Sequence, residues 1–137
     1  MNDPQQPVAI VTGASRGIGH RIAEHLQAKG FDVLSSSRQS LENRPDGWTH
    51  VAADLGTPEG LEQLLDHPLA TRASVLVNNV GQIRAVGGLA AEVGTEVRAT
   101  FDTNVFGPLE CCRRIATLMA EADFGRGLSA IALAKGS

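Results

Sequence analysis

The feature that most constrains this sequence is a glycine-rich segment, TGASRGIG, close to the amino terminus. It follows Val8–Thr12, a short apolar and β-branched run that predicts a buried strand. Beyond the glycines, Ile18, Ile22 and Leu26 recur every four residues and predict one buried face of a helix. The glycines therefore lie in the turn of a strand–turn–helix unit that begins the fold.

The spacing G-x-x-x-G-x-G in this turn is typical of a phosphate-binding loop. The first turn of a helix has unpaired N–H groups and a partial positive charge, and a phosphate can approach them where no Cβ stands in the way. An alternative is that the glycines only allow the helix to pack close to the strand. We predict cofactor contacts from Gly13, Ser15, Arg16, Gly17, Ile18 and Gly19.

The residues that end the second predicted strand indicate which dinucleotide is bound. An acidic residue about 20 positions beyond such a turn usually binds the ribose 2′-hydroxyl of NAD. Here that position is Ser37, followed by Arg38, and no acid is present. A hydroxyl and a guanidinium suit a 2′-phosphate, which a carboxylate would repel, and Arg16 could approach it from the other side. NADP(H) is therefore favoured over NAD(H).

Strand and helix patterns alternate along the chain and predict one α/β domain over residues 1–137. Alternation of this kind implies right-handed βαβ crossovers and a doubly wound, Rossmann-like parallel sheet of four to five strands. A kink is expected at Gly107–Pro108, inside the last helical region. Beyond the first unit, the predicted strands are Phe31–Ser37, Trp48–Leu55 and Ala73–Asn79, and the predicted helices are one capped by Thr57 and one from about Thr95 to Ala122.

Composition argues against several classes of function. A formal net charge of −3 gives no cationic surface for nucleic acid or an anionic membrane. The four histidines are scattered, so no metal site is expected. Cys111 and Cys112 are adjacent, which suits core residues in a reducing compartment better than a disulfide. No run resembles a signal peptide or a membrane span, and a cytoplasmic protein is expected.

Four motifs together resemble those of the short-chain dehydrogenase/reductase family. TGASRGIG is similar to its glycine motif, and AADL (52–55) to the end of its third strand. NNVG (78–81) resembles the family's N-N-A-G, with Val80 in place of alanine. FDTNVFG (101–107) resembles the segment that carries the family's helix asparagine, which maps to Asn104. The order and spacing make the resemblance specific from Val8 to about Ala122.

The resemblance implies further contacts with the cofactor. Asp54 would contact the adenine ring, and the NNVG segment would border the ribose. Asn104 would hold a water molecule in a proton relay. With the end of the second strand included, the further predicted cofactor residues are Ser37, Arg38, Asp54, Leu55, Asn79, Val80 and Gly81.

The resemblance also implies a catalytic Y-x-x-x-K pair on one helix face, where the lysine lowers the pKa of the tyrosine that exchanges the substrate proton. This sequence contains no tyrosine. The family's proton donor is therefore absent, and hydride transfer is not expected from this chain alone.

Two alignments of the tail remain open. In the first, FGRGLSAIALA is the family's fifth strand, and the chain is truncated before the tyrosine and lysine. In the second, SAIALAKGS replaces the catalytic segment, with Ile131 at the tyrosine position and Lys135 at the lysine position. The first is favoured because the preceding helix needs a following strand to complete a βαβ unit. Lys135 is a catalytic candidate only in the second alignment, and Ser129 and Ser137 have no better support.

Three functions are compatible with these features. The chain could be the cofactor-binding part of a truncated NADP(H) oxidoreductase, inactive alone. It could be a non-catalytic nucleotide-binding or regulatory subunit that associates with a complete homologue, or a degenerate product. A shortened sheet would bare one edge and the helix near Leu109 to Met119, and would leave leucine, isoleucine and methionine side chains such as Ile115 and Met119 partly in water. We therefore expect a homodimer or association with a full-length homologue.

Overall fold

The computed structural model describes residues 5–82, 93–122 and 129–132. Its strands are β1 (Val8–Thr12), β2 (Asp32–Ser37), β3 (Trp48–Ala52), β4 (Ala73–Asn78) and β5 (Ser129–Ala132). Its α-helices are α1 (Gly17–Ala28), α2 (Pro58–Leu65), α3 (Val93–Phe101) and α4 (Gly107–Glu121). A 3₁₀ helix spans Pro68–Arg72, and a π-helical turn, Asp102–Phe106, joins α3 to α4.

The strands in these ranges form one parallel sheet in the order β3-β2-β1-β4-β5. The central strand β1 pairs with both β2 and β4, so the direction of winding reverses beside it. Doubly wound sheets bind ligands at this reversal point, outside the carboxyl ends of the strands. The predicted Rossmann-like α/β fold is confirmed.

Successive residues of the central strand enter two different cores, because side chains alternate between the faces of a strand. On one face, Ile10 packs in a cluster with Leu64 of α2 and Ile115 of α4. On the other face, Val11 lies in a cluster with Ala23 of α1. The two cores clamp β1 in place, and with it the start of the glycine turn.

Helix α4 is more deeply buried than the sequence predicted. Ile115 is fully buried and Met119 is 8% exposed, whereas Leu109 is 63% exposed. The expectation that this isoleucine and this methionine lie partly in water is wrong, because α2, β4 and the 3₁₀ helix pack against that face of α4. A charge at Ile115 would therefore test folding and not association.

The bend in the last helical region differs from the predicted kink at Gly107–Pro108. Phe106 and Gly107 keep right-handed helical dihedral angles, and the helix instead widens into the π-helical turn just before them. Proline has no N–H and its ring crowds the carbonyl four residues earlier, so a wider preceding turn accommodates it. Two large apolar side chains ahead of the bend are exposed, Phe101 at 50% and Val105 at 45%.

The third and fifth strands test two further expectations. Strand β3 ends at Ala52 and not at Leu55, because Asp54 begins a turn in which its Oδ1 accepts a hydrogen bond from Gly56 N at 2.9 Å. Strand β5 pairs in parallel with β4, as the first tail alignment predicts. The helical alternative is wrong for these four residues. Lys135 and Ser137 lie outside the described residues.

Candidate functional site

The turn after β1 is built at very close quarters with the end of β4. Gly13 has a φ of +65°, and a Cβ there would lie 3.1 Å from Val80 Cα and 3.2 Å from Asn79 O. A Cβ on Gly19 would overlap the Asn79 side-chain nitrogen and the Gly13 carbonyl oxygen. Gly13 and Gly19 therefore both have the packing role that was the alternative interpretation of the motif, and the positive φ of Gly13 favours glycine there as well.

Hydrogen bonds from two side chains hold the turn to the neighbouring strands. Thr12 Oγ1 accepts from the backbone N–H groups of Asn79 at 3.0 Å and Val80 at 3.1 Å. In return, the Asn79 side-chain amide donates to Gly13 O at 3.0 Å. On the other side, the N–H of Ala14 donates to the backbone oxygen of Ser36 at the end of β2. The ends of three parallel strands are thereby fixed to one another.

Among the described residues, no capping side chain and no acidic residue of its first turn neutralises the amino terminus of α1. Arg16 is the N-cap residue, its backbone is extended, and its side chain makes no capping hydrogen bond. The first turn of α1 contains no acidic residue. Its N–H groups and the partial positive charge of the helix are thus left to attract an anion.

These segments surround a cavity of about 430 Å³ at the carboxyl ends of β1, β2 and β4. Most of the predicted cofactor residues lie in its wall, although they come from four separate parts of the chain. The predicted residues in the wall are Gly13, Ser15, Arg16, Ser37, Arg38, Asp54, Leu55, Asn79, Val80 and Gly81.

Three predicted residues do not line this cavity. Gly19 is buried beneath the turn. Gly17 and Ile18 instead border a second cavity of about 820 Å³ between α1 and β4, and Ile18 is 59% exposed. The glycine motif places the helix terminus correctly, but it does not indicate which way the Ile18 side chain leaves the helix.

Five residues in the cavity wall were missed by the sequence analysis: Ser36, Gln39, Ala53, Gln82 and Thr103. Ser36 is the most informative, because its Oγ is buried and has no hydrogen-bond partner among the described residues. The run of three serines that ends β2 was a usable signal, since polar residues are unexpected in a strand buried between two helical layers.

The charge of the cavity wall is positive on balance. Arg16 and Arg38 contribute two guanidinium groups, and Asp54 is the one carboxylate among the lining residues. All three side chains are exposed. Guanidinium groups bind phosphate with paired hydrogen bonds, so the arrangement suits an anionic ligand.

Asn104 lies in the π-helical turn and is held by the loop that follows β4. Its Nδ2 donates to Gln82 O and its Oδ1 accepts from Gln82 N, each at 2.7 Å. Both ends of the side-chain amide are therefore engaged with one backbone. In this structure Asn104 fastens Gln82, a wall residue, to the helix that carries Thr103.

Neither a cluster of metal ligands nor a membrane-spanning helix occurs among the described residues. No three histidine, cysteine or acidic side chains in that part of the chain are grouped as metal ligands would be. Its helices also include none that combines the length and the apolar character needed to cross a lipid bilayer.

Comparison with known proteins supports a single family. Residues 7–129 match the sequence model described as short chain dehydrogenase. A protein of Streptomyces violaceoruber, named as ketoacyl reductase 2 of the granaticin polyketide synthase, is 36% identical over 115 aligned positions, and the alignment covers 76% of this chain and 46% of that protein.

Two solved structures of similar fold contain different dinucleotides, NADP in one and NADH in the other. A metagenomic short-chain oxidoreductase in complex with NADP has a TM-score of 0.75 and 30% identity, over 90% of this chain and 60% of its own. A 4-hydroxyisoleucine dehydrogenase complexed with NADH has a TM-score of 0.73 over 91% of this chain and 55% of its own, and at 23% identity it shows the fold alone.

The chain spans about half the length of the curated relatives that it matches. The matched residues 7–129 include the glycine turn, strands β1 to β4 and the residues that line the cavity of about 430 Å³. On the family match over residues 7–129, this chain belongs to the short chain dehydrogenase family of oxidoreductases.

Proposed function

We propose that the chain binds NADP(H) in the 430 Å³ cavity, as the nucleotide-binding part of an oxidoreductase acting on carbonyl or alcohol groups. The observation that carries the proposal is the convergence of three features on one cavity. They are the glycine turn, the uncapped terminus of α1, and a β2 end at which Arg38 follows Ser37 with no acid.

The residues present fit a dinucleotide sterically and electrostatically. The first turn of α1, which has no capping side chain and no acidic residue, suits a pyrophosphate, because that group needs a positive partial charge. The unpartnered Ser36 hydroxyl supplies an additional polar group in the wall. When bound, the nicotinamide of such a cofactor supplies or accepts a hydride.

The proposed roles of the side chains follow their positions in the wall. Arg38 and Arg16 would bind the 2′-phosphate from the β2 end and from the glycine turn, and Ser37 would border it, with its hydroxyl donated to Gln39 O. Asp54 and Leu55 would border the adenine. Asn79, Val80 and Gly81 would border the ribose, and hydrogen bonds with Thr12 and Gly13 fix the first two of these residues.

We further propose that this 137-residue chain does not transfer hydride at an enzyme-like rate by itself. A positioned general acid or base is typically worth about 10²–10⁴-fold in rate, and no tyrosine is present to act as one. Asn104 could assist a proton relay only after releasing Gln82, because both polar groups of its amide are engaged.

A second candidate is a non-catalytic nucleotide-binding subunit that associates with a complete homologue or with a second copy. Exposed apolar side chains favour it: Phe106 is 58% exposed and Leu109 is 63% exposed, on neighbouring turns. Because Ile115 is buried, we propose that Phe106 and Leu109 form the contact with the partner in place of the helix face that carries Ile115. We also propose that the protein is cytoplasmic.

Calorimetric titration of the purified chain with NADPH and NADH tests the binding proposal. The wild type should bind NADPH more tightly than NADH. Arg38→Ala should weaken NADPH by about 1.5–3 kcal/mol, the scale of hydrogen bonds to a charged group, and leave NADH nearly unchanged. Arg21→Ala is the matched control, because Arg21 is an exposed arginine of α1 beside the second cavity.

Equal losses for the two cofactors would remove Arg38 from the 2′-phosphate and overturn the assignment of NADP(H). The activity proposal is tested separately, by following NADPH oxidation with a panel of ketones and aldehydes. Cofactor-dependent turnover that is lost in Asn104→Ala or Lys135→Ala would show that the chain is catalytic without a tyrosine.

A further inference from the structure

A chain of hydrogen bonds runs from the apolar core to the cavity wall through one histidine. Trp48 Nε1 donates to Ser35 Oγ at 2.7 Å, and Ser35 Oγ lies 2.7 Å from His50 Nδ1. On its other side, His50 Nε2 lies 3.0 Å from Ser37 Oγ and 2.9 Å from Gln39 O. The core and the wall are therefore connected by both nitrogens of one imidazole.

The partners determine which nitrogen of His50 carries the proton. The Gln39 carbonyl can only accept, so Nε2 must be the donor at that end. Ser37 Oγ donates its own hydrogen to Gln39 O at 2.7 Å and can still accept from Nε2. In the neutral ring Nδ1 is then an acceptor, and the Ser35 hydroxyl donates to it while accepting from Trp48. Every donor in the chain has an acceptor.

The two ends of this chain differ in burial. Trp48 is 5% exposed and Ser35 is fully buried, so one end is anchored in the core packed under α1. The other end is the Ser37–Gln39 turn, whose three residues all line the cavity. Arg38 stands between the two residues that His50 holds, and its own side chain is exposed.

We propose that His50 is a positioning residue for cofactor selection: through Nε2 it fixes the Ser37–Gln39 turn, and so sets where Arg38 meets the 2′-phosphate of NADP(H). This inference rests on the proposed function. A turn that is already ordered loses less conformational entropy when a ligand binds, which strengthens binding without any direct contact from the imidazole. The benefit should be larger for NADPH, since only NADPH carries the group that Arg38 would bind.

The simpler alternative is that His50, a residue of β3, only packs against β2, where Ser35 lies opposite it in register. The two roles make different demands on the side chain. A positioning role needs a hydrogen-bond donor directed at Gln39 O, which glutamine can supply and leucine cannot. A space-filling role is served about equally by both substitutions.

The test compares wild type, His50→Gln, His50→Leu and His25→Leu, the last being the control at an exposed histidine of α1. Calorimetric titrations of the purified chain use NADPH and NADH. We expect His50→Leu to weaken NADPH about two- to tenfold, the range of one neutral hydrogen bond, with a smaller effect on NADH. His50→Gln should stay within about twofold of wild type, and His25→Leu should not differ from it.

Folding of each variant is monitored by the emission of Trp48, the single tryptophan in a chain without tyrosine. If His50→Leu does not fold, ¹⁵N-histidine NMR of the wild type supplies the test. The His50 resonances should show the Nε2–H tautomer, and Nε2 should shift on addition of NADPH more than on addition of NADH. His50 resonances that show the Nδ1–H tautomer, or an Nε2 chemical shift that does not change on addition of NADPH, would overturn the proposal.

The failures of the two proposals are distinguishable. A wild type that binds neither dinucleotide overturns the proposed function and this inference with it. A wild type that prefers NADPH, combined with His50→Leu and His50→Gln variants that bind like wild type, overturns the inference alone. Equal weakening of NADPH and NADH in His50→Leu, without rescue by glutamine, identifies a space-filling residue and also refutes the inference.

Discussion

Replacement of Thr12 by valine should destabilise the fold far more than a change of one oxygen to a methyl group suggests. Thr12 is fully buried, and its Oγ1 accepts hydrogen bonds from the N–H groups of Asn79 and Val80 at 3.0 and 3.1 Å. Valine keeps the shape and the β-branching but removes the acceptor. Two backbone donors at the end of β4 then lose their partner within the protein.

The magnitude follows from the burial of these two donors. An unsatisfied buried donor costs about 1–3 kcal/mol. The Asn79 N–H lies in a buried contact, whereas the Val80 contact is only partly buried. We therefore expect a loss of about 2–4 kcal/mol from the free energy of unfolding. This is a large fraction of the 5–15 kcal/mol that is usual for a whole domain.

Urea unfolding followed by Trp48 emission measures this loss directly. Thr12→Ser is the control, because it keeps the hydroxyl and removes only a methyl group, at a cost of about 1 kcal/mol. Thr12→Val should unfold at lower urea than Thr12→Ser. If valine proves as stable as wild type, or more stable than serine, then the hydroxyl does not hold the end of β4 and the account of a rigid cavity wall is refuted.

Three further predictions concern the glycine turn, pH and the exposed helix face. Gly19→Ala should lower the free energy of unfolding by about 1–3 kcal/mol or more, because the new Cβ would be overpacked. Gly17 has open space around it but a φ of +64°, so Gly17→Ala should cost about 1–2 kcal/mol of backbone strain. Similar urea midpoints for wild type and Gly19→Ala would contradict the first expectation. Burial lowers the pKa of both His50 and His67 from the usual 6.5. Their contribution to the free energy of unfolding should therefore be complete above pH 6.5 and should be lost as the pH falls from 6.5 towards the folded-state pKa values. Urea midpoints that rise on acidification through this window would contradict this prediction. Leu109→Glu should leave the urea midpoint unchanged, because the Leu109 side chain is 63% exposed. The same substitution should reduce any self-association seen by light scattering. A wild type that is already a monodisperse monomer would argue against the proposed homodimer.

Features governed by local signals were predictable from the sequence. The apolar β-branched run predicted β1 with its observed bounds. Thr57 followed by Pro58 predicted the start of α2, and Thr57 Oγ1 does accept from Gly60 N at 3.1 Å. Caps, turns and short apolar strands depend on neighbours in the chain, so they can be deduced without knowledge of the tertiary fold.

Features that depend on the pairing of distant segments were not predictable. Ile115 and Phe101 are both apolar residues of one helical region, yet the first is buried and the second is half exposed. The difference arises because Ile115 of α4 packs in a cluster with residues of α2 and β4, a cluster whose described members do not include Phe101. The position of His50 beside Ser35 and Ser37 arises only when β2 and β3 pair in register. No local pattern indicates that pairing, so the link between the core and the cavity wall was missed.

The most direct test of the central claim is a crystal structure of the chain with NADPH. Binding in the 430 Å³ cavity predicts density for the pyrophosphate at the amino terminus of α1, and for the 2′-phosphate within hydrogen-bond distance of the Arg38 guanidinium. Density for the dinucleotide in the second cavity beside Ile18, or a 2′-phosphate directed away from Arg38 into solvent, would contradict the claim.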